Sequence, residues 1–130
     1  MATSLNLLKS YRIIFSYHQL TDGGFFGMRN KKCYISLPIT GRRLDEVRER
    51  IAELKRKLQD KGFVPVSPFD RDVDFDATHE EHMREDFKML LDCDYILMSS
   101  EWEYSVGCRA ELNAALACGI KIMFECAETI

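Results

Sequence analysis

Between Lys31 and Glu125, four short apolar runs alternate with three segments of helical periodicity, and no other feature narrows the possible folds as much. The runs are Cys33 to Ser36, Phe63 to Val66, Tyr95 to Met98 and Ile120 to Phe124. Each is continuous rather than alternating with polar residues, the pattern of a strand buried on both faces of a sheet. Leu44, Val47, Ile51, Leu54 and Leu58 recur at spacings of three and four among Glu, Arg and Lys, with Gly62 placed for a left-handed helix end. A second helix is expected from His79 to Asp92, capped by Thr78 with Glu81 three residues on, and burying Met83, Phe87, Leu90 and Leu91. A third, Gly107 to Cys118, is rich in Ala and Leu and closes with Gly119. Strand and helix in alternation predict a three-layer α/β fold around a mostly parallel sheet of four to five strands.

At 130 residues the chain has room for one such domain. A net charge of -3 gives no general reason to expect nucleic acid or an anionic membrane as partner, so any anion site must be local. The five cysteines are scattered without a C-x-x-C pair, which predicts reduced, mostly buried thiols in a cytoplasmic protein. No apolar run approaches the roughly 20 residues that cross a bilayer, and the start lacks the basic and apolar regions of a signal peptide. Tyr11 to Tyr17 reads as a short strand, but Thr21 to Gly24 breaks the pattern. Met28 is therefore expected as the natural start, since Asp22 to Gly24 can be encoded by a purine-rich, ribosome-site-like sequence. Residues 1–27 are then an extension and 28–130 the domain.

Ligands of open parallel sheets sit beyond the carboxyl ends of the strands, which gathers Ser36 to Arg43, Ser67 to Thr78 and Ser99 to Glu111 around one crevice. In the last of these, Ser105 to Gly107 open a helix whose free backbone N–H groups can hold an anion, and Glu111 stands about one turn inside it. Asp86 flanks the apolar stripe of Met83, Phe87 and Leu90. Spacing leaves two readings open for each carboxylate: a fixed acid facing the crevice, or a solvated residue on a helix flank.

Three stretches, Tyr34 to Gly41, His82 to Asp86 with Cys93-Asp94, and Ser105-x-Gly107-x-x-x-Glu111-Leu112, resemble in order and spacing the signature regions of the nucleoside 2-deoxyribosyltransferase family. Ser105 at the head of the last motif is similar to the branch of deoxynucleoside 5'-monophosphate N-glycosidases. The resemblance covers about Lys31 to Glu125 and implies a flavodoxin- or Rossmann-like fold that cleaves the N-glycosidic bond of a deoxynucleoside or its 5'-monophosphate. It implies a small nucleoside or nucleotide as partner, a homo-oligomer, no nucleic acid or membrane, and no metal or organic cofactor. Carried over by position, Glu111 matches the nucleophile, Asp86 the acid that assists protonation of the departing base, and Tyr34 the residue that positions the nucleophile. Ile39, Thr40 and Gly41 match the first loop around sugar and phosphate, with Ser36 and Pro38 counted beside them, and Ser105 and Gly107 match the loop that receives a 5' phosphate. Arg42, Arg43 and Arg109 flank that expected anion site. The chain ends where the family usually adds a fifth strand, an edge that only the N-terminal segment is left to supply.

Other constellations are weaker. Asp70, Asp72, Asp74 and Asp76 imitate a calcium loop, but Phe75 occupies the place of its Gly, so an acidic loop beside the crevice is expected instead. His79 and His82 stand three apart where a zinc-protease motif needs four. Trp102 and Tyr104 can stack on a base or pack against their own turn. Leu37 and Asn113, each where the family has Gly, keep open a second reading, a nucleotide-binding sensor without turnover.

Overall fold

The computed structural model of the protein describes residues 11–15, 30–71 and 76–127. Its strands are β1 (Tyr11–Phe15), β2 (Lys32–Ser36), β3 (Val64–Val66), β4 (Tyr95–Met98) and β5 (Lys121–Ala127), and its helices α1 (Leu44–Asp60), α2 (His79–Leu91) and α3 (Val106–Ala117). The strands form one sheet in the order β1-β5-β4-β2-β3. The four from β2 to β5 are parallel, and β1 runs antiparallel beside β5 with Tyr11 opposite Ala127. This is the expected α/β architecture, and the N-terminal segment does supply an edge strand. β5 runs three residues past the expected Phe124 because β1 pairs along its outer edge as far as Ala127.

Side chains alternate along a strand, and the alternation separates two cores. Cys33, Ile35, Tyr95, Leu97 and Met123 face α1, which lays Val47, Ile51, Leu54 and Leu58 on them. Leu54 and Leu58 are fully buried, each contributing about 2 kcal/mol by area. The opposite face presents Tyr34, Ile96, Met98 and Ile122 to Leu90 of α2 and to Cys108 and Ala115 of α3. Leu91, expected in the core, is 52% exposed; it lies about 100° round the helix from Leu90, which already fills the core position.

Local signals set the helix ends. Thr78 Oγ1 accepts from the Glu81 N–H at 3.2 Å and Glu81 Oε2 accepts from the Thr78 N–H at 3.3 Å, the capping box expected for α2. Gly62 after α1 and Gly119 after α3 take φ of 91° and 71°, the left-handed region that favours glycine. The order places β3 and β4 on opposite sides of β2, so the chain reverses its direction of winding there. The loops leaving β2 and β4 therefore part and leave a crevice at the carboxyl ends of the strands.

Candidate active site

Tyr34 and Ser36 are two residues apart on β2 and so face the same helix layer. Ser105 caps α3, its Oγ accepting from the Cys108 N–H at 3.2 Å. A little more than one turn further on, Glu111 returns to the side of the helix that meets the sheet. There Ser36 Oγ donates to Glu111 Oε1 at 2.9 Å, between groups that are both buried. Glu111 Oε2 and the Tyr34 hydroxyl are buried without a hydrogen-bond partner, although the phenol lies close enough to favour the charged carboxylate. Burial pushes the Glu111 pKa up to about 7 and the Asp86 charge adds to this, while Tyr34, Ser36 and Arg71 oppose it. The Tyr34 phenol is held far above its ordinary range by burial, then by the charges of Glu111 and Asp86.

Asp86 sits on α2 with only 7% of its surface exposed. Arg71 Nη1 donates to its Oδ1 at 2.6 Å. Burial raises its pKa above the ordinary aspartate value, and Arg71, then His82 and His79, work against that rise. Neither carboxylate is a solvated flank residue: both line one crevice of about 630 Å³.

Pro38, Ile39, Thr40, Arg42, Ser105 and Gly107 line the same crevice, as expected from the sequence. Tyr34 and Ser36 are fully buried and reach the crevice through their contact with Glu111. Gly41 turns the chain at a φ of 78° just before Arg42 and is not part of the lining. Arg42 is paired with Glu101, a non-glycine residue at a φ of 70° in the loop after β4. Trp102 and Arg109 are not in the lining. Trp102 packs against Phe124 of β5 with ring centroids 5.9 Å apart, because its turn lies over the sheet. Arg109 is exposed, since Cys108 and Glu111 take the inward positions of α3. Arg43 pairs with Asp45 at the start of α1.

The crevice also takes in residues to which the sequence assigns no site role, above all Arg71, His79, His82 and Met83. His82 and Asp86 are four apart and so share a helix face, a signal present in the sequence. Arg71 carries no such signal, as one cation within an aspartate-rich loop. Met83, expected in the core, faces Gly107, where an added Cβ would meet its sulfur at 3.8 Å, an ordinary contact. Asp72, Asp74 and Phe75 of the calcium-like pattern lie outside the described residues. Among the described residues no cluster of His, Cys, Asp or Glu could hold a metal ion, and no helix is long and apolar enough to cross a membrane.

Solved structures share this architecture. A 2-deoxyribosyltransferase from Leishmania mexicana superposes with a TM-score of 0.57 at 22% identity, over 71% of this chain and 61% of its own. A conserved protein from Enterococcus faecalis V583 does so at 0.55 and 18%, over 72% and 61%. A 2-deoxyribosyltransferase from Bacillus psychrosaccharolyticus gives 0.52 and 18%, over 70% and 69%. The matched part is thus about three fifths of the length of the first two, and at these identities the likeness establishes the fold. No curated protein sequence matches the chain. Residues 31–124, which hold β2 to β4, all three helices and most of β5, match the family described as a domain of unknown function, DUF4406, and the chain belongs to that family.

Proposed function

We infer that the protein cleaves the N-glycosidic bond of a deoxynucleoside or deoxynucleoside 5'-monophosphate, with Glu111 as nucleophile and Asp86 as acid. The observation that carries this reading is the pair of buried carboxylates from α2 and α3 on one crevice, one held by Ser36 and the other by Arg71. Two of the structures that share the fold are deoxyribosyltransferases by name, which supports the substrate class. The volume suits a nucleotide-sized ligand.

In this reading Glu111, its Oε1 held by Ser36, attacks C1'. As the C1'–N bond lengthens, the sugar gains oxocarbenium character that the carboxylate stabilises. The bonding electron pair leaves with the base nitrogen, which takes the proton of Asp86. Water then completes hydrolysis, or a second base completes transfer. A homo-oligomer belongs to the same proposal.

The test is incubation with the common deoxynucleosides and their monophosphates followed by chromatography of free base. Release that persists in Glu111→Ala would remove Glu111 from its role. Because Glu111 attacks only when ionised while Asp86 must carry a proton, kcat/KM is expected to follow a bell in pH, with the limb that belongs to Glu111 near about 7. Ser36→Ala deletes a hydrogen bond to the charged form and is expected to move that limb to higher pH. Leu37 in the crevice wall is the observation that favours the sensor reading. Tight nucleotide binding without base release over hours would select it.

A further inference from the structure

Arg71 belongs to none of the sequence motifs, yet it sits at the centre of the crevice chemistry. Its bond to Asp86 Oδ1 joins two largely buried side chains, 15% and 10% exposed. Its charge also favours the ionised forms of Glu111 and Tyr34. The crevice holds a second arginine, Arg42, but that one is engaged by Glu101. A guanidinium presents five N–H donors in a fork, so one bond to Asp86 leaves donors for a further oxyanion.

The ion pair is a problem for the reaction inferred above. An acid must hold a proton, and a carboxylate gripped by a guanidinium does not. Something has to draw Arg71 away before the base departs. A neutral nucleoside has no group that competes with a carboxylate for a guanidinium, whereas a phosphate does.

We propose that Arg71 is a specificity-determining residue that exchanges anions: it holds Asp86 as a carboxylate in the free protein and passes its fork to the phosphate of a deoxynucleoside 5'-monophosphate. The proposal rests on the glycosidase reading of the same crevice. Once released, Asp86 takes a proton from water and delivers it to the leaving nitrogen, which keeps the electron pair of the broken C1'–N bond. Asp86 is then a carboxylate again and Arg71 can return to it. The groups that face Asp86 are Arg71 from the loop after β3, His79 and His82 along α2, Glu111 from α3 and Tyr34 from β2. With Arg71 withdrawn, burial and the charge of Glu111 favour the protonated acid over the opposing pull of the histidines. Selection of monophosphate over nucleoside therefore acts on the chemical step as well as on binding.

The test counts protons rather than products. Sulfate, a dianion that does not titrate near neutrality, is added to full-length Glu111→Gln protein in a calorimeter, in two buffers of different ionisation enthalpy. The glutamine removes both turnover and the titration of Glu111, so base release can fail without affecting this result, and the reverse. Sulfate is expected to bind with uptake of up to about one proton per ion. Adding Asp86→Asn, isosteric and neutral, should abolish the uptake while sulfate still binds. Adding Arg71→Met should weaken sulfate about tenfold or more, and Arg71→Lys, which keeps the charge but loses the fork, should fall between. Equal uptake with and without Asp86→Asn, sulfate affinity indifferent to Arg71→Met, or no sulfate binding at all would each overturn the proposal.

Discussion

Glu111→Gln is expected to abolish base release and, at the same time, to make the fold more stable at neutral pH. The loss of activity should be at least about a thousandfold, since no neighbouring group replaces a nucleophile. The gain in stability follows from where the carboxylate sits. Burial raises the pKa of Glu111 from its ordinary 4.5 to about 7 in the folded state. Between those values the folded protein binds more protons than the unfolded chain, so stability falls as pH rises. The favourable contribution of the protonated acid is complete below 4.5 and is lost as pH passes through about 7. Glutamine, neutral throughout, escapes that loss. The advantage of the variant should be absent at low pH, grow through the window and level off above it. A shift of this size corresponds to roughly 3 kcal/mol. Urea denaturation at pH 4.5 and pH 8 checks it, and an advantage of the same size at both would mean that the carboxylate is not strained by burial. A site that costs stability when charged is also what a nucleophile requires, because solvation that would relax it would also blunt it.

The second large effect lies on the other face of the sheet. The side chain of Glu125 on β5 is fully buried and bound by Arg50 of α1, with Lys57 3.8 Å from its second oxygen. Its Oε1 also accepts from the Ser100 N–H at 2.9 Å, which ties it to the loop leaving β4. Arg50→Ala strips the closest counter-charge from a carboxylate that water cannot reach, and is expected to cost on the order of 3 kcal/mol, with Lys57 offsetting part of the loss. Glu125→Gln in the same background removes the charge while keeping an acceptor for Ser100, and should recover most of the stability. Thermal melts of the two single variants and the double close the cycle. If the double variant is no better than Arg50→Ala, the loss reflects packing of the arginine stem rather than an abandoned charge.

The sequence made these parts of the protein legible to different degrees, for physical reasons. α1 was readable because Val47, Ile51, Leu54 and Leu58, at helical spacing, can bury together only on one face of a helix, while Leu44, which continues the pattern, is 40% exposed at the first turn. α2 was readable from Thr78 and Glu81, whose reciprocal bonds span three residues. Glu111, Asp86, Tyr34 and Ser36 stood out because each lies in a short motif, and the fold then brings them together around one crevice. Arg71 did not stand out, since it acquires meaning only through Asp86, fifteen positions away beyond an acidic loop. The orientation of Trp102 depended on Phe124, a contact between the turn after β4 and the middle of β5 that no local pattern encodes. Glu125 looked like a polar residue past the end of a strand. Only the pairing with β1 and the approach of Arg50 show that the strand continues and that the charge is enclosed.

The bond from Ser36 to Glu111 joins residues 75 positions apart. A growing polypeptide has β2 long before it has α3, so no partial chain contains the finished crevice. Contacts of such long range form late, after the loops between them have closed. A ligand that needs this crevice therefore binds only the completed domain, and in a refolding experiment its signal should follow the last phase of structure formation rather than the first collapse.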